Sequence, residues 1–90
     1  MLFVVHRSDL DQDLKAATYE LEVVRNVPDR ISLVTATFDY LQDSDPDLTK
    51  DQLINELDHS DGISEWIEVT DRKMVVDVHR EVRYTFELIS

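Results

Sequence analysis

The sequence predicts an α+β domain: a mainly antiparallel β-sheet of about four to five strands with one or two helices packed on one face. Three observations predict it. Residues 74–89, MVVDVHREVRYTFELI, alternate apolar and polar side chains, as a strand with one buried face does. Thr49-Lys50-Asp51-Gln52 matches a capping box, the reciprocal arrangement of side chains and backbone that opens a helix. The 90 residues, 42% hydrophobic and 32% charged, show no internal repeat and no linker, so residues 1–90 read as a single domain around one core.

From the N-terminus, Leu2-Phe3-Val4-Val5 reads as a short buried strand. Ser8 and Asp9 offer helix caps, Asp11 and Asp13 suit the positive end of a helix dipole, and Leu10, Leu14, Ala17 and Leu21 follow helical spacing. Tyr19, Leu21 and Val23 alternate with Glu20 and Glu22, which is strand periodicity. The reading is a helix over 9–17 followed by a strand over 18–25; one helix running to about residue 24 is the rival. Asn26-Val27-Pro28-Asp29 signals a turn. Residues 31–41, ISLVTATFDYL, are rich in β-branched and aromatic residues and read as a strand that pairs with 18–25 in a hairpin.

The capping box then starts a helix reaching about His59, with Leu48 and Leu53 placed for a hydrophobic staple and Leu53, Ile54 and Leu57 on one side. Gly62 suits the exit. Residues 65–70 and 74–89 are the last two strands, joined near Asp71-Arg72. A single strand over 74–89 would span roughly 53 Å, too long for a small domain, so a bend or bulge is expected near His79-Arg80. Phe3, Phe38, Trp66, Tyr84 and Phe86 read as core, and His79 as wet.

Charge narrows the function. The net charge is -11, and residues 39–68 hold ten acidic side chains against Lys50 alone. Such a chain repels nucleic acid and anionic membranes and favours cations or basic protein surfaces. The one glycine, Gly62, argues against phosphate-cradling loops. The absence of cysteine excludes disulfide and thiolate chemistry and fits a cytoplasmic location. MLFVVHRSD lacks the features of a signal peptide, and no apolar run could cross a bilayer.

Asp43, Asp45 and Asp47 resemble the start of a calcium loop, but Leu48 occupies the position that needs glycine and Ile54 the position that needs glutamate. Starting the loop at Asp45 instead puts Lys50 at the glycine position. A looser divalent site on these three aspartates ranks below a solvated acidic surface. His6, His59 and His79 have no metal-binding spacing, and no nucleophile elbow is present. No enzyme activity, cofactor or metal is expected.

The acidity itself remains as the asset. In extended backbone, Asp43, Asp45 and Asp47 would align at intervals of roughly 7 Å, similar in order to successive phosphates. Asp51 and Asp58 continue a helical stripe, and Asp39, Tyr40 and Asp61 complete the candidate partner-binding set. Tyrosine often anchors an interface. The favoured expectation is a non-enzymatic inhibitor docking on the basic surface of a nucleic-acid-binding protein, as a nucleic-acid mimic. Phage and mobile-element inhibitors of the anti-CRISPR and anti-restriction kind share this general composition. The alternatives are an antitoxin or immunity-type protein that neutralises a basic toxin, and a structural subunit that forms a homodimer through strand 74–89. A face that serves only solubility is the plain competing explanation.

Overall fold

A computed structural model of the protein describes residues 1–44, 46–58 and 64–89, with the backbone alone described at 17–22, 44, 56–58 and 64. The elements are β1 (Leu2–Leu10), β2 (Ala16–Asn26), α1 (Leu33–Ser44), α2 (Lys50–Asp58), β3 (Ser64–Val69), β4 (Lys73–Val78) and β5 (Val82–Ile89). The strands form one antiparallel sheet in the order β2-β1-β5-β4-β3. This is the α+β architecture that the sequence predicts. Its central strand, β5, pairs with β1 across most of the sequence. No described helix is long and apolar enough to cross a membrane.

The core lies between α1 and one face of the sheet. Phe3, Val5, Met74, Val76, Phe86 and Leu88 meet Leu33 and Ala36, all buried. Phe3 and Phe86 stack at 6.3 Å between ring centroids, and Tyr84 stacks on Phe86 at the same distance. Trp66 and Tyr84 are half-buried against this cluster. α2 follows its capping box: the Thr49 amide donates to Gln52 Oε1 at 2.9 Å, and the Gln52 amide donates to Thr49 Oγ1 at 3.2 Å. Leu53 is buried as expected, but Ile54 faces out at 40% exposure. The side chain of Leu57, and all of His59 and Gly62, lie outside the described residues.

Three sequence expectations are overturned. First, 9–17 is not a helix. β1 continues to Leu10, and Asp11 Oδ1 accepts the amides of Asp13 and Lys15 at 2.9 Å each. The carboxylate that suited a helix start thus stabilises a tight reversal, with Leu14 in the left-handed region at φ 59°. β2 follows directly, as the alternation over 19–23 indicates.

Second, 31–41 belongs to α1, so the hairpin between 18–25 and 31–41 does not form; β2 pairs with β1 instead. Ser32 caps the helix: the Thr35 amide donates to its Oγ at 3.2 Å and the Ala36 amide to its carbonyl at 3.0 Å. Leu33, Ala36 and Thr37 are buried and Tyr40 and Leu41 half-buried, which is the i, i+3, i+4, i+7, i+8 stripe of a helix facing a core. That periodicity prevails over β-branched composition.

Third, 74–89 is two strands. The chain reverses completely at His79 and Arg80, both left-handed (φ 54° and 58°), as a type I′ turn requires. The Glu81 amide closes the turn on the Val78 carbonyl at 3.1 Å. The expected break is at the right place, and a strand of roughly 53 Å could not fit a molecule whose longest extent is 38 Å.

The reversal also makes Asp77 and Arg83 cross-strand neighbours on the sheet face away from the core. Arg83 donates from Nε to Asp77 Oδ1 at 2.7 Å and from Nη2 to Oδ2 at 3.0 Å. Asp77 is only 5% exposed. The hydrogen bond to Asp77 holds the Arg83 guanidinium above its ordinary, already high pKa, against an opposing contribution from burial.

Candidate functional site

The described members of the expected partner-binding set fall on the helical layer. Asp39 and Asp43 stand one turn apart on α1, where residues four apart share a side of the helix, and both are exposed. Asp47 is exposed in the α1–α2 connection, and Asp51 is exposed in the first turn of α2, where the helix dipole favours a negative group. Asp45, Asp61 and the side chain of Asp58 lie outside the described residues. The extended row over Asp43, Asp45 and Asp47 is not what forms, because Asp43 is helical. Among the described residues, no group of three or more His, Cys, Asp or Glu could hold a metal ion.

Tyr40 has a packing role. Its ring meets Phe3 at 6.1 Å and Phe86 edge-on at 6.1 Å. From the other side, the Arg25 guanidinium lies over the ring, 5.3 Å from its centroid, and reaches Asp43 at 2.9 Å. β2 thus carries a cation to the end of α1. Asp43 sits in the last turn of that helix, where the dipole disfavours an acid and no basic residue of the helix answers it, so Arg25 supplies the missing charge. Both partners are solvent-accessible, and such a pair contributes at most about 1 kcal/mol. Nothing in the sequence marks Arg25 for this contact; it follows from how β2 and α1 meet. Lys50 directs its ammonium to Thr35 Oγ1 at 3.3 Å.

An open groove of about 540 Å³ lies at the opposite end of α1, with Met1, Arg30, Ser32, Thr70 and Arg72 among its lining. None of the expected site residues lines it. No family model matches the chain, and no curated protein and no solved structure matches it.

Proposed function

We propose that the protein is a non-enzymatic binding module whose acidic helical layer docks on a basic surface of a nucleic-acid-handling protein, in place of the nucleic acid. The carrying observation is that Asp39, Asp43, Asp47 and Asp51 are all exposed on or between two helices, with Arg25 answering the charge of Asp43 alone, among the described residues, where the helical layer meets β2. A negative surface fixed on packed helices is pre-organised for a positively charged groove, and long-range attraction speeds the encounter. In this reading Tyr40 supports the site from beneath.

The test is affinity capture from host lysate at low and high salt, followed by competition between the protein and DNA or RNA for the retained partner. Capture should be lost at about 1 M salt, and the nucleic acid should displace the protein. Replacing Asp39, Asp43, Asp47 and Asp51 together by Asn should abolish capture without unfolding the chain. Capture unchanged at high salt would refute the acidic-surface mechanism.

A further inference from the structure

The turn between β1 and β2, residues 11–15, is held by its own bonds and by one bond from elsewhere. Within it, Asp11 Oδ1 accepts the amides of Asp13 and Lys15, the Asp11 amide donates to the Lys15 carbonyl at 3.0 Å, and the Leu14 amide donates to the Asp11 carbonyl at 3.1 Å. From β5, Arg83 donates from Nη2 to the Leu14 carbonyl at 3.4 Å. The same nitrogen donates to Asp77 Oδ2 at 3.0 Å. We propose that Arg83 is a latch that keeps this turn closed on the end of the sheet, and that Asp77 sets the latch from β4.

Geometry carries the inference. A guanidinium is planar, and its N–H donors are fixed relative to one another. Asp77 engages Nε with one oxygen and Nη2 with the other, and a forked pair of this kind fixes the plane of the group. One hydrogen of Nη2 is committed to Asp77, so the direction of its second hydrogen is set. That hydrogen meets the Leu14 carbonyl. A bond of 3.4 Å is too long to orient a flexible side chain unaided, so the orientation comes from the carboxylate. Asp77 thereby acts on a turn that its own strand does not adjoin, because β5 separates β4 from β1.

Leu14 is the residue that needs restraint. Its φ of 59° lies in the left-handed region, which costs a residue with a Cβ about 1 kcal/mol or more. Strain of this kind persists only where the surroundings hold it. The nearest backbone anchor stops short of the turn: the Leu10 amide donates to the Glu81 carbonyl at 2.9 Å and ties the end of β1 to the entry of β5. Among the described residues, Arg83 makes the one side-chain bond that reaches residues 11–15 from outside the turn.

This inference is independent of the proposed function, since no residue of the acidic helical layer takes part. The test reads backbone order parameters of the full chain by nitrogen-15 NMR relaxation. In the parent, residues 13–15 should be as rigid as the strands, with values near about 0.85. Asp77→Asn keeps the size of the side chain and removes its charge and its second acceptor oxygen. Arg83→Lys keeps the charge and removes the planar fork. Each should lower the values at residues 13–15 below about 0.6 and leave Glu81, whose amide closes the β4–β5 turn, rigid. A general loss of stability does not produce this pattern, because order parameters report fast motion within the folded state. Melting curves check that both variants fold. A turn already flexible in the parent overturns the proposal without any variant. It is also overturned if either variant leaves residues 13–15 as rigid as before, or if Glu81 loosens to the same extent as the turn.

Discussion

The Asp77–Arg83 pair should respond unequally to loss of its two members. Arg83→Leu leaves a carboxylate that is 5% exposed and has lost both of its guanidinium hydrogen bonds. Breaking a buried pair from one side costs about 3–5 kcal/mol. The Arg83 side chain is itself 27% exposed, so some screening reaches the site and the expected cost falls to about 3 kcal/mol. Asp77→Val leaves the long guanidinium, which can turn to water, and should cost only about 1–2 kcal/mol. The double substitution puts an apolar cross-strand pair in place of the ions and should lie near the parent, so the cycle shows strong coupling. For a domain of this size the Arg83→Leu loss corresponds to a melting temperature lower by roughly 12 °C or more. Thermal and urea unfolding of the four proteins measure these values. Equal single-site costs, or additive ones, would refute the reasoning. The arginine half of the pair adds no pH dependence near neutrality. A basic group with a raised folded pKa stabilises fully below its unfolded pKa and loses that contribution only as pH rises through the folded value, in strong alkali. The arginine contribution should therefore be flat between about pH 6 and 9.

Other substitutions test single features. Thr37 is fully buried and its Oγ1 has no hydrogen-bond partner among the described residues, so Thr37→Val should stabilise by about 1 kcal/mol in urea unfolding. Arg80→Gly at a left-handed turn position should also stabilise, by about 1 kcal/mol, because the Cβ penalty disappears. Ser32→Ala and Thr49→Ala should each destabilise by about 1 kcal/mol through loss of a helix cap. Chemical denaturation checks all four, and a neutral Ser32→Ala would remove the reason given for where α1 begins.

Where the sequence was legible, one local rule was unopposed. The α2 cap needs only Thr49 and Gln52, and the β4–β5 alternation needs only the residues it contains. At 31–41 two rules competed: β-branched composition argued for a strand, while the spacing of Leu33, Ala36, Thr37, Tyr40 and Leu41 argued for a helix. The spacing decides because it sets which atoms leave water. At 9–17 the same aspartate serves a helix start or a tight turn, and the choice rests on β1 having partners on both sides. The exposed acids of the site were legible from charge density. The role of Tyr40 was not, because its contacts come from β1, β2 and β5. Asp77 and Arg83 lie on the predicted outer face, yet their burial together depends on a chain reversal that the sequence marked only as a bend.

The position of β5 bears on how the protein is made and lost. β1–β2 and β3–β4 are hairpins that cannot touch until β5 enters between them, and isolated two-stranded hairpins are marginal in water. A chain stopped anywhere before Val82 has two ribbons with no strand pairing between them and lacks Phe86 and Leu88 from the core. Assembly therefore waits on a contact between distant parts of the sequence, which slows folding. A weakened variant should not shed one edge while keeping the rest; it should open as a whole, and proteolysis should consume the intact chain without leaving a stable fragment.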